Sequence, residues 1–136
     1  MIKPIMKSEF FLRLPSEDAG PDDAATRQDL LDTLHEHEHE CVGLAANMIG
    51  VRKRIICVKD GNRTLLMYNP QILEQVNAYQ TSEGCLSLIG ERPCTRYRRI
   101  KVEYLDENFV HRIKNFSGYT AEIIQHEIDH CNGVVV

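Results

Sequence analysis

His126-Glu127-Ile128-Asp129-His130 reads H-E-x-x-H within a stretch that has helical patterning. Four residues advance an α-helix by about 6 Å and turn it by about 400°, so the two imidazoles project from nearly one face. That is the spacing for two ligands on one ion. Upstream, Glu83-Gly84-Cys85-Leu86-Ser87-Leu88 offers a thiol. A Cys85 thiolate would complete a Cys-His-His set and leave the fourth tetrahedral position to water, and an open position separates catalytic from structural sites. Glu127, about 60° around the helix from His130, is placed to take that water's proton.

Working outward, the helix is expected from about Gly118 to His130 with Ser117 as its N-cap. Ala121, Ile124 and Ile128 share one face and should pack against a sheet. Arg54 to Val58 and Thr64 to Tyr68 read as two strands around an Asp60-Gly61-Asn62 turn, with Asn69-Pro70 ending the second. Ile100, Val102 and Tyr104 alternate with Lys101 and Glu103 as in a half-buried strand, and Asp106-Glu107-Asn108 turns it into Phe109 to Ile113. Leu14 to Ala25 reads as a loop leading into a helix from about Thr26 to Glu40, striped by Leu30, Leu31 and Leu34. The expected fold class is α+β: a mostly antiparallel sheet around a buried H-E-x-x-H helix, in one domain over residues 1–136.

A second H-E-x-x-H, His35-Glu36-His37-Glu38-His39, is polar all round and has no third ligand tied to it, which is the pattern of a solvated helix end. Reading His126 and His130 as plain core histidines would leave Glu127 and Asp129 as acids in a buried turn without a reason to be there. Cys131, turned about 100° from His130, points away from the ion as a small hydrophobe. Cys94 lies in a Pro-containing segment without a motif, and Cys41 and Cys57 read as packing residues.

Composition sets bounds without suggesting the chemistry. The 136 residues carry 16 basic and 20 acidic side chains, a net charge of −4. Nothing there attracts nucleic acid or an anionic membrane. No apolar run approaches the roughly 20 residues of a membrane span, and the first residues lack the apolar core of a signal peptide. A soluble cytoplasmic protein is expected. Five scattered cysteines fit reduced thiols better than a disulfide framework.

Gly43-Leu44-Ala45-Ala46, Glu83-Gly84-Cys85-Leu86-Ser87 and Gln125-His126-Glu127-Ile128-Asp129-His130 resemble, in order and spacing, the three motifs of the peptide deformylases. The resemblance covers roughly residues 41 to 133. It implies a deformylase-type fold and removal of the formyl group from N-formylmethionine at the start of nascent chains. It implies iron(II) on Cys85, His126 and His130, although zinc, nickel or cobalt suit the same ligands. Glu127 would accept the water's proton and return it to the departing amine. The backbone N–H of Leu86 and a glutamine side chain closing the first motif would hold the oxyanion.

The chain departs from that family at several positions. The usual first motif is Gly-φ-Gly-φ-Ala-Ala-x-Gln, whereas Cys41 replaces the first glycine here and Met48 stands at the glutamine. A thioether donates no hydrogen bond, and losing one oxyanion donor typically costs about 10²–10³ in rate. Asn47, with its amide on a shorter stem, is the candidate substitute. Glu122 stands where deformylases usually place an apolar wall for the methionine side chain. Val42, Gly43, Leu44, Tyr119 and Ile123 are the remaining wall candidates, and Arg96 matches a family arginine near the site. The carboxy-terminal helix that can contribute to ribosome contact in bacterial enzymes has no counterpart after Gly133, which argues against a docking role. Two other readings share these residues: a metallohydrolase of another small N-acyl amide, and a non-catalytic paralogue that binds metal or a formylated chain end.

Overall fold

The computed structural model describes all 136 residues. Five strands make one antiparallel sheet in chain order: β1 (Gly43–Ala45), β2 (Ile55–Asp60), β3 (Arg63–Glu83), β4 (Arg92–Leu105) and β5 (His111–Ser117). Three helices accompany it: α1 (Glu9–Leu12), α2 (Ala24–Glu36) and α3 (Gly118–Cys131). A 3₁₀ turn over Ala46–Ile49 carries the chain from β1 towards β2.

Strand β2, between β1 and β3, explains the layering. Ile55, Ile56, Cys57 and Val58 are all buried, so both faces of the sheet are covered there. Side chains alternate across a strand. Ile55 and Cys57 accordingly join Leu30, Leu34, Leu44 and Tyr68 in a core under α2. Ile56 and Val58 join Met67, Ile100, Val102, Ile124 and Ile128 in a second core under α3. The helix with the H-E-x-x-H turn is thereby clamped across one sheet face by its Ala121, Ile124 and Ile128 side.

Several boundaries differ from the sequence-based expectation. Asn69-Pro70 does not end β3, which runs on to Glu83. The ladder with β4 slips between Tyr68 and Gln71 and again between Ile72 and Glu74. This bulge accommodates Asn69 in the left-handed region at φ 53° and a proline without an N–H. Asn69 is fixed there by a two-way hydrogen bond: its Oδ1 accepts from Ala19 N at 2.7 Å and its Nδ2 donates to Ala19 O at 3.0 Å. Beyond the bulge β3 is largely exposed, so no hydrophobic alternation marks it.

β5 begins at His111, later than expected, because Phe109 leaves the strand path at φ 60° and stacks on Tyr68 with ring centroids 4.4 Å apart. Asp106 closes the turn by accepting from Asn108 N and Val110 N. α2 stops at Glu36, four residues short of the expected Glu40. His35 and His37 pair instead with Glu38 and Glu40 at the exposed helix end. Ser117 occupies the N-cap of α3 as expected, but its side chain makes no capping bond.

Ile124 is fully buried between α3 and the sheet. Ile124→Ala is expected to cost about 2–5 kcal/mol of unfolding free energy, measured by chemical denaturation.

Candidate active site

α3 carries His126, Glu127 and His130 into the interior, where they are 7%, 3% and 0% exposed. Their Nε2 atoms face each other at 3.2 Å for His126 and His130. Two imidazoles bound to one tetrahedral ion at 2.0–2.1 Å place their nitrogens about 3.3 Å apart, so the pair already has the spacing of two ligands. The orientation of His126 is set from behind: its Nδ1 donates to Glu83 Oε1 at 2.8 Å. That bond puts the proton on Nδ1 and leaves Nε2 free for a metal.

Glu83 is the last residue of β3, and Cys85 follows two residues later in the loop to β4. Glu83 is itself held by Arg96 of β4, whose Nε and Nη2 donate to its carboxylate at 3.1 and 2.7 Å. Arg96 Nη1 donates to Asp129 Oδ2 at 2.6 Å. One guanidinium therefore ties the end of β3 to α3.

Electrostatics follow from this crowding. Burial works against an ionised Glu83, yet the bonds from His126 and Arg96 outweigh it and hold the carboxyl well below its usual range. Burial likewise opposes charge on His126, but its partners Cys85 and Glu83 outweigh that and raise it to about 10. The Cys85 thiol is lowered despite its burial, chiefly by His126 and then by the backbone at Leu88 and Ser87. Burial and then the charge of His126 lower His130 to about 3. Burial alone is the main reason that Glu127 is raised to about 7.

These donors fit a divalent metal. No three histidine, cysteine or acidic side chains lie close enough together to hold an ion as they stand; two imidazoles converge, with an acidified thiol beside one of them. Thiolate and imidazole are ligands for iron, zinc, nickel and cobalt alike. The imidazolium proton of His126 would leave on binding.

A cavity of about 560 Å³ opens over His126, Glu127 and Cys85. Val42, Gly43, Tyr119, Glu122 and Ile123 line it, as do Met48 and Leu86. Gly43 is there because nothing larger fits: a Cβ would lie 2.8 Å from Ile123 Cγ2 and 3.0 Å from Glu127 Oε2. Glu122 faces the cavity without an arginine partner. A hydrogen bond with Glu83, and then burial, raises its carboxyl to about 7.

Three expected site residues lie elsewhere. Leu44 is wholly enclosed in the core under α2, since its neighbour Gly43 takes the opposite side of β1. Arg96 is buried between Glu83 and Asp129, so it reaches the site only through them. Asn47 is 1% exposed, and its Nδ2 donates to the carbonyl of His130 at 2.9 Å. Its amide is aimed at the end of α3 and not at a reacting carbonyl, which removes it as a substitute oxyanion donor.

With this geometry, residues 5–136 match the profile of the polypeptide deformylases. The chain belongs to the peptide deformylase family. It is 51% identical to a peptide deformylase of Clostridium beijerinckii over 136 residues, covering all of both chains. It is 39% identical to peptide deformylase 1 of Clostridium perfringens, over 79% of this chain and 74% of that one. Among solved structures it is similar to a Met-Ala-Ser-bound class I type b peptide deformylase from Acinetobacter baumannii. That likeness has a TM-score of 0.89 and 28% identity, over 99% of this chain and 97% of the other.

Against this deformylase background, sequence reasoning missed two supporting groups. Glu83 opens the second motif, yet nothing in the sequence ties it to His126; a carboxylate two residues before a candidate thiol ligand is the available signal. In the sequence Asp129 reads only as an acid in a buried turn, and its partner Arg96 lies 33 positions away.

Because Asn47 serves the fold, Asn47→Ala is expected to lower stability by about 1–3 kcal/mol while leaving kcat within a few-fold of the parent. Thermal unfolding and single-turnover kinetics on the same preparation check both halves.

Proposed function

We propose that Cys85, His126 and His130 hold the metal of this peptide deformylase and that Glu127 is its general base and acid. The chain removes the N-formyl group from N-formylmethionyl peptides of nascent chains, and the reaction is metal-dependent. The observation that carries the assignment is the pair of Nε2 atoms 3.2 Å apart, beside a Glu127 whose Oε1 is buried without a hydrogen-bond partner. A buried carboxylate oxygen with nothing to bond is costly unless a ligand or water completes it.

When bound, the ion supplies Lewis acidity, lowering the pKa of a water and polarising the formyl carbonyl. Glu127 takes the proton of the attacking water and delivers it to the amine as the C–N bond breaks. Tyr119, Ile123 and Val42 bind the methionine side chain, with Gly43 leaving room for the chain end to approach Glu127. The Leu86 N–H donates to the developing oxyanion. Met48, where the family carries glutamine, contributes shape and no donor.

Iron(II) is the ion we assign, on the family resemblance. All five cysteines are free, and no helix is long and apolar enough to cross a membrane; we place the reaction in the cytoplasm, within one domain over residues 1–136. A formylated peptide is the only partner the cavity calls for.

Anaerobically iron-loaded protein is expected to deformylate a formyl-Met-Ala-Ser peptide. Glu127→Gln should reduce kcat by about 10²–10⁴ with one metal per chain retained. Full activity in that variant would overturn the role of Glu127. If the missing amide limits the rate, Met48→Gln should raise kcat by about tenfold or more. An unchanged rate would show that water already serves the oxyanion. Turnover of acetyl peptides in preference to formyl ones would favour the other N-acyl amide reading, for which the carboxyl of Glu122 in the cavity is the motive.

A further inference from the structure

The loop from Gly84 to Glu91 carries a metal ligand and an oxyanion donor, yet the β3–β4 ladder ends before it at the pair Glu83 and Arg92. Its backbone must be steadied by something other than the sheet. Residues 5–9, which no motif marks, touch the loop itself at Leu86 and its surroundings at two further points. Met6 N donates to Met48 O at 2.7 Å, on the turn that closes the first motif. Lys7 Nζ donates to Leu86 O at 2.5 Å. Glu9 faces Arg92 at 3.8 Å, at the start of β4. Ile5 and Met6 pack in the same apolar cluster as Cys85, Leu86 and Leu88.

We propose that Lys7 is a positioning residue for deformylation, fixing the Leu86 carbonyl and through it the backbone that presents the Leu86 N–H and the Cys85 thiol. A carbonyl bonded to an ammonium has a charge-assisted partner, stronger than water's. Since Leu86 is joined directly to Cys85, rotation of that short backbone moves both groups at once. The segment also spans the two sides of the cavity, because Met48 and Leu86 both line it. Lys7 thus works on the reaction through Leu86 without touching substrate or metal. The proposal rests on the assignment of Cys85 as a ligand and of the Leu86 N–H as a donor.

The test compares Lys7→Met, Lys7→Arg and Cys85→Ala with the parent, by kcat and KM on formyl-Met-Ala-Ser, release of the metal into a chelator, and melting temperature. Lys7→Met is expected to lower kcat about tenfold and to speed metal release about tenfold. KM should stay within about twofold, the melting temperature should barely move because Lys7 is exposed, and Lys7→Arg should restore both losses. Parent-like kcat and release in Lys7→Met, or losses that Lys7→Arg does not restore, would overturn the role of Lys7. If Cys85→Ala holds the ion as firmly as the parent, the ligand assignment falls and takes this proposal with it.

Discussion

The hydrogen-bonded chain Arg96–Glu83–His126 is the constraint on which the site depends. A carboxylate, a guanidinium and an imidazole are brought together where the Arg96 side chain is 4% and Glu83 10% exposed. Each charge alone would be too costly there, since an unpaired buried ion costs several kcal/mol. Together they satisfy one another, and Asp129 takes the remaining edge of the guanidinium. The network does two jobs at once. It pins the end of β3 to α3, and it leaves only one nitrogen of His126 for a metal.

Around that network the sheet divides the protein by task. The face under α2 holds a mainly apolar core. The face under α3 also buries apolar side chains, but its helix turns its other side, with His126 and Glu127, to the cavity. Close approach is needed for this to work. Gly43 on β1 lets α3 come near enough for Glu127 to sit against the strand, so the strand edge and this carboxyl form one wall.

The departures from the family motif acquire physical meaning only in this setting. Asn47 stands beside the place of the missing glutamine, but the 3₁₀ turn over Ala46–Ile49 directs its amide to the carbonyl of His130. It secures the end of α3, a structural use of the same chemical group. Met48 remains at the cavity as an apolar wall. Glu122 faces the cavity beside Glu83, which raises its carboxyl to about 7; this makes the cavity wall more polar than a simple methionine pocket and joins it to the charged network behind His126.

Much of this was legible in the sequence, because local periodicity and covalent spacing suffice to state it. The H-E-x-x-H turn, the apolar face of α3 and the alternation in β4 depend on 3.6- and 2-residue repeats that no tertiary contact needs to create, and the apolar run of β2 is as local. Motif order likewise sets Cys85 beside His126. What the tertiary structure alone decided was direction and partnership: that Asn47 turns to His130, that Arg96 reaches the site through Glu83 and Asp129, and that β3 continues past Pro70. Hydrogen bonds between residues far apart in the chain, such as Arg96 with Asp129, leave no periodic trace. An exposed strand held only by its ladder shows no burial pattern, and a side chain's aim is set by which neighbours fold around it.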